Sequence, residues 1–241
     1  MEADEYLKMH ALEERMWWYR GLHANLLTLY RLASPIRPVM PILDAGCGTG
    51  GLLKQLGPGA VGMDLASAAA GLARAKSGAP VCVGSINDMP FADGSLGAIF
   101  SADVLYHRAV DERAALENCH RCLMPGGLLV LNLPAYDWMS SAHDRAVHAA
   151  RRYTRRRIEQ RLRAAGFDRI RTSYWNMLLF PLMVMRRKLL SGSATTSDVM
   201  LYPAPIEALF RTVLRLENWA LARGLSLPFG GSVLAVAVKH G

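Results

Sequence analysis

Two carboxylates set among glycines carry the strongest chemical signal in the chain. Asp44 follows a short apolar run, residues 41–43, and opens the stretch Asp-Ala-Gly-Cys-Gly-Thr-Gly-Gly, with glycines at 46, 48, 50 and 51. Those glycines let the backbone turn tightly and approach a ligand, with amides exposed at the start of a helix whose core side is Leu52, Leu53 and Leu56. Gly46, Gly48 and Gly51 also satisfy the spacing of a dinucleotide-binding loop. Asp44 separates the two readings. A carboxylate at the strand end repels a pyrophosphate and attracts a ligand bringing an ammonium and a sulfonium. S-adenosylmethionine (SAM) is such a ligand. Asp64 closes the next apolar run, 60–63, about 20 residues on, where an acid can hold two ribose hydroxyls. Dinucleotide sites share that acid, so Asp64 alone does not discriminate.

A second set of residues could move a proton. His107 follows the strand expected over 98–101, at the carboxyl edge where a doubly wound sheet binds its ligands. An imidazole there can take a proton from an attacking hydroxyl or amine, or merely cap a turn. His143 and Asp144 lie in the polar, aromatic stretch 134–148 after the fifth strand and could form a base with an orienting carboxylate. With His148 they could also hold a metal, but transfer of an activated methyl group needs none, so no metal is expected. Trp18, Tyr19, Tyr106 and Tyr136 are candidates for an acceptor pocket, Trp18 and Tyr19 being equally readable as core.

Three segments in order, LDAGCGTG from Leu43, VGMDLA from Val61 and LMPGGLLVLNLP from Leu123, resemble the motifs of the class I SAM-dependent methyltransferases, particularly the small-molecule type 11 group. The resemblance covers residues 41–133. It implies an α/β, Rossmann-like fold with a mostly parallel seven-stranded sheet and helices on both faces. It implies SAM as cofactor and S-adenosylhomocysteine as product, held by Asp44, Gly46, Cys47, Gly48, Asp64, Leu65, Ser85, Ile86, Asp88 and Ala102. Ser85 departs from the pattern, because the family usually places an acid there for the adenine amino group. A hydroxyl can accept that bond without charge assistance, and Asp88 could serve instead. Type 11 enzymes also carry an aromatic segment before the first motif, similar to Trp17-Trp18-Tyr19-Arg20.

The elements that must position these groups follow from periodicity. Residues 2–33 read as one helix, ended by Ser34, Pro35 and Pro38. Further helices are expected over 66–76, from a cap at Asp111 to Leu123, and over 151–165, with strands at 81–83, 128–133, 169–175 and 233–238. A single domain results, as 241 residues and 51% hydrophobic content permit. Its parts are an N-terminal helical segment (1–38), a SAM-binding core (39–175), a helical cap insertion (176–231) and the last strand (232–241). The insertion opens with an apolar, Met-rich run over 176–190 that ends near Arg186, Arg187 and Lys188 and is too short to span a bilayer. Its second half, 206–223, reads as an amphipathic helix with Leu209, Phe210, Val213, Leu216 and Leu221 apolar. Together they would form a helical cap, equally readable as simple packing or as a lid over a hydrophobic acceptor, with the basic triplet at a membrane surface in the second case.

The net charge of +8 admits an acidic substrate, an anionic membrane or nucleic acid as partner. Nucleic acid is disfavoured, because SADVLYHR lacks the Asn/Asp-Pro-Pro-Tyr motif that holds a flipped base. Cys47, Cys82, Cys119 and Cys122 read as packed free thiols of a reducing compartment. With an acidic, polar N-terminus and no spanning run, the protein is expected in the cytoplasm, soluble or peripheral at a membrane. The expected activity is methyl transfer from SAM to a small, hydrophobic or lipid-like acceptor, oxygen before nitrogen or carbon. The alternatives are a nucleic-acid methyltransferase and a non-catalytic SAM-binding scaffold.

Overall fold

The computed structural model describes residues 3–34, 41–140, 149–189 and 201–240. Seven strands form one sheet: β1 (Ile42–Ala45), β2 (Ala60–Asp64), β3 (Val81–Val83), β4 (Leu96–Ala102), β5 (Leu123–Pro134), β6 (Phe167–Trp175) and β7 (Ser232–Lys239). Their order is β3-β2-β1-β4-β5-β7-β6. The first five run parallel, and β7 lies antiparallel between β5 and β6. This is the Rossmann-like methyltransferase arrangement that the resemblance implies.

The central strands are continuous apolar runs because both faces are covered. Along β5, Leu129, Leu131 and Leu133 pack with α5 (Glu112–Cys122) and α6 (Arg155–Ala164), whereas Leu128 and Val130 point to the opposite cluster. That second layer holds α2 (Trp17–Ala33), α3 (Gly51–Leu56) and α4 (Ser67–Ser77). Asp111 caps α5 as expected, its side chain accepting from the amides of Arg113 and Ala114. All four cysteines are free, with Cys119 and Cys122 fully buried on α5.

Three expectations from periodicity need correction. The N-terminal helix is two: α1 (Ala3–Leu12) and α2 part at residues 13–16, because Glu13 turns inward to accept bonds from Thr49 Oγ1 and Lys76 Nζ, both at 2.5 Å. The helix expected from 151 begins at Arg155 instead. The preceding residues stay extended because Tyr153 N donates to Pro134 O (2.8 Å) and Ala150 N to Tyr106 O (2.8 Å), tying them to the carboxyl ends of β5 and β4.

The third correction concerns the insertion between β6 and β7, which contains α7 (Phe180–Leu189) and α8 (Ala204–Ala222). Helix α8 packs on α2, but its buried positions are Glu207, Leu214, Glu217 and Leu221. Leu209 and Leu216, expected on the apolar side, face solvent. The glutamates win the inner face because they accept backbone donors left bare at or near helix starts: Glu207 from Trp17 N (2.9 Å) and Tyr202 N (3.1 Å), Glu217 from Leu178 N (2.8 Å).

Candidate cofactor and acceptor site

Asp44 ends up buried, with one carboxylate oxygen lacking any hydrogen-bond partner. Burial above all, then the nearby charges of Asp64 and Glu13, pushes its pKa up to about 8, against a bond from the Leu53 amide. With Glu13 already paired to Lys76, Asp44 and Asp64 leave a site that a further cation would stabilise. Asp64 closes the loop: its two oxygens accept from Gly48 N and Ala66 N, each at 2.9 Å. Burial raises its pKa and those amides oppose the rise.

The glycine loop does not display its amides as expected. Gly46 N (2.7 Å) and Cys47 N (3.0 Å) both donate to Met63 O, Gly48 N to Asp64, and Gly50 N to Cys47 O (2.9 Å). With those donors used internally and only six residues in α3, this loop offers a pyrophosphate little, which strengthens the argument from Asp44. The glycines are needed for close approach: a Cβ at Gly46 would stand 2.2 Å from Val104, and at Gly48 2.5 Å from Met9. Met9 belongs to α1, so the N-terminal helix lies over the loop. Tyr6, on the same helix, feels the charges of Asp64 and Cys47, after burial, and its pKa is pushed up to about 12.

The other expected cofactor residues line the same strand ends. Cys47 is buried, and its thiol is held protonated by burial and by Asp44. Leu65 stands exposed beyond β2, and Ala102 is half-buried at the end of β4. Ser85, Ile86 and Asp88 form the turn after β3. Ser85 Oγ already accepts from Asn87 N (3.2 Å), Ile86 is buried and Asp88 is exposed, its amide donating to Ser85 O (3.2 Å).

Next to Ala102 lies a carboxylate that the sequence reading passed over. Asp103 takes a left-handed backbone (φ 56°), and its two oxygens lie 3.0 and 2.9 Å from Asn132 Nδ2. Asn132 in turn accepts from Trp175 Nε1 at 2.6 Å. Burial pushes the Asp103 pKa up to about 7, with the Asn132 bond and the Arg152 charge opposing. The ring of Trp18 sits 5.8 Å from Trp175 and 5.0 Å from Tyr19, whose phenol is held protonated by burial and by the charges of Glu13 and Asp103. Tyr19 thus lies within reach of the Asp103 charge, while Trp18 connects to Asp103 through Trp175 and Asn132. One signal was available: Asn132 is the lone polar residue in an apolar central strand, and a buried amide there demands a partner.

The remaining candidates are spread out. His107 is half-buried in the turn after β4, its ring stacked on Tyr106 at 4.3 Å. Tyr136, also left-handed (φ 57°), joins a different aromatic group with Tyr174 (5.2 Å), Trp138 (5.7 Å) and Phe180 (5.7 Å), which links the site's edge to α7. His143, Asp144 and His148 lie outside the described residues.

Residues 43–131 match the family model described as a methyltransferase domain. Over this stretch the chain is similar to methyltransferase domains. The chain is 33% identical over 167 residues to malonyl-[acyl-carrier protein] O-methyltransferase of Methylococcus capsulatus, covering 63% of this chain and 60% of that protein. Trans-aconitate 2-methyltransferase of Deinococcus radiodurans is 33% identical over 149 residues, 58% of this chain and 52% of the relative. Of the curated relatives it matches, the chain spans 36% to 61% of their length. A SAM-dependent methyltransferase structure from Thermotoga maritima superposes with a TM-score of 0.61 at 16% identity, over 98% of this chain and 95% of that one, which speaks for the fold alone. SAM is the cofactor of this domain type, and the residues present fit it. The unpartnered oxygen of Asp44 suits a cationic amino group, and Asp64 keeps lone pairs free for ribose hydroxyls after accepting two amides.

Proposed function

We propose that the protein transfers the methyl group of SAM to an oxygen of a small, apolar or lipid-like acceptor, and that Asp103 receives the acceptor's proton. The observation that carries this reading is the Asp103 carboxyl itself: half-buried beside Ala102, fixed by Asn132, with a pKa pushed up to about 7. A base works best when its pKa lies near the operating pH. When bound, SAM supplies a methyl group already activated by its sulfonium. The chain's own work is to hold the ligand through Asp44 and Asp64, align the acceptor and exclude water. Trp18, Tyr19 and Trp175 form an aromatic group joined to Asp103 through Asn132. One relative is named as an O-methyltransferase, of malonyl-[acyl-carrier protein], which supports oxygen as the receiving atom.

The test is release of S-adenosylhomocysteine across a panel of hydroxyl, carboxyl and amine acceptors, followed by two single substitutions. Asp103→Asn should cut turnover about 100-fold or more while SAM affinity by calorimetry stays within a few-fold. His107→Ala should cost less. If His107→Ala abolishes turnover and Asp103→Asn does not, the base is the histidine. If no acceptor is turned over although SAM binds, the protein is a SAM-binding scaffold.

A further inference from the structure

The outer face of α8 inverts the usual arrangement of a surface helix. Its two glutamates, Glu207 and Glu217, are 5% and 3% exposed, whereas Leu209, Leu216 and Trp219 are 59%, 58% and 55% exposed and Ile206 38%. With both acids turned inward onto backbone amides, the charges that α8 and its C-terminal cap leave outside are Arg211, Arg215 and Arg223. None of the three bonds an acidic group among the described residues, and the Arg223 guanidinium lies 3.6 Å over the Trp219 ring. Beside this face, Arg15, Arg20 and Arg211, with Tyr202 and the inward-turned Glu207, border a recess of about 260 Å³. Arg15 and Arg20 likewise have no acidic partner among the described residues. The surface thus combines an exposed apolar stripe with an excess of cations, the one carboxylate at the recess, Glu207, being taken up by the amides of Trp17 and Tyr202.

Charge decides what can cover it. A second copy meeting this face about a two-fold axis would bring each row of arginines against its own image, which costs energy once the stripe excludes water. An anionic phospholipid surface instead offers acyl chains to Leu209, Leu216 and Trp219 and phosphates to the arginines, with Trp219 and Arg223 at the headgroup level. No helix among the described residues is long and apolar enough to cross a membrane, so α8 would lie in the interface. We propose that the outer face of α8 docks on an anionic phospholipid membrane, with Arg15, Arg20 and Arg211 receiving a lipid phosphate in their recess. This places the contact on α8, whereas the basic triplet after 185 was the sequence's candidate; Arg186 there donates to Tyr202 Oη at 2.8 Å.

The experiment is vesicle co-sedimentation of the whole protein, read without methyl transfer, so that its failure leaves the methyltransferase reading standing. Vesicles of phosphatidylcholine with about 30% phosphatidylglycerol should carry the protein down, pure phosphatidylcholine should not, and added salt should weaken the binding. Arg211→Ser/Arg215→Ser/Arg223→Ser should lower partitioning about 100-fold, from roughly a factor of five per arginine near an anionic surface. Leu209→Ser/Leu216→Ser/Trp219→Ser should also lower it, and circular dichroism should show both triple variants folded. Protein left in the supernatant with both vesicle types overturns the proposal, as does equal sedimentation of the variants. Full competition by soluble glycerol phosphate would assign the recess to a free phosphate ester. A wild-type dimer that the leucine and tryptophan replacements turn into monomers, with no vesicle effect, would assign the face to a second copy.

Discussion

Asp44 and Asp103 are both carboxyls that burial makes reluctant to ionise, but their consequences differ. For Asp44, with a pKa near 8, binding of a cationic ligand favours the ionised form and should expel a proton. SAM affinity should therefore climb between pH 6 and pH 8, to be seen as proton release when calorimetry is run in two buffers of different ionisation enthalpy. Asp44→Asn should weaken SAM about 10- to 100-fold, as for loss of a charged hydrogen bond, and flatten that pH dependence. An unchanged slope in the variant would mean that another group titrates. Asp44 and Asp64 were legible because the loop and the strand that carry them are local in sequence. Asp103 was not, since its environment is made by Asn132 and Trp175, which reach it only when β4, β5 and β6 are assembled.

At the level of elements, periodicity located nearly every strand and helix but misjudged the orientation of α8. A hydrophobic stripe predicts a buried face only when nothing more demanding competes for it. Here the bare amides of Trp17, Tyr202 and Leu178 compete, and two glutamates satisfy them. Replacing Glu217 by Ala should strand the Leu178 donor and cost about 1–3 kcal/mol, seen as a lower urea midpoint with an unchanged slope. Leu209→Ser, on the exposed side, should change stability by about 0.5 kcal/mol or less by the same measurement. The reverse ranking would put α8 the other way round. The split between α1 and α2 was illegible for a similar reason: Glu13 leaves the helical path for Thr49 and Lys76, partners far along the chain.

For the whole molecule, the buried carboxyls set a stability profile. Asp44 and Asp103 keep their protons in the folded state up to about pH 8 and pH 7, whereas in the unfolded chain an Asp releases its proton near pH 4. Through these two groups the folded state binds more protons than the unfolded one across that window. His23, whose pKa burial lowers to about 4, opposes them below pH 6.5, so stability should fall most clearly as pH rises from 6.5 to 8. Thermal melts without ligand should show it, and saturating SAM should recover most at the alkaline end. A melting temperature that rises over the same range would refute this assignment. The topology carries one more consequence, for biosynthesis. Strand β7 is made after all the others yet belongs between β5 and β6, bonded to both. Until residues 232–239 leave the ribosome, β5 and β6 each present a bare edge, and a bare apolar edge recruits whatever strand is nearest. Chains stalled before Ser232 should collect with chaperones or aggregate, while chains extended past Lys239 should resist brief proteolysis.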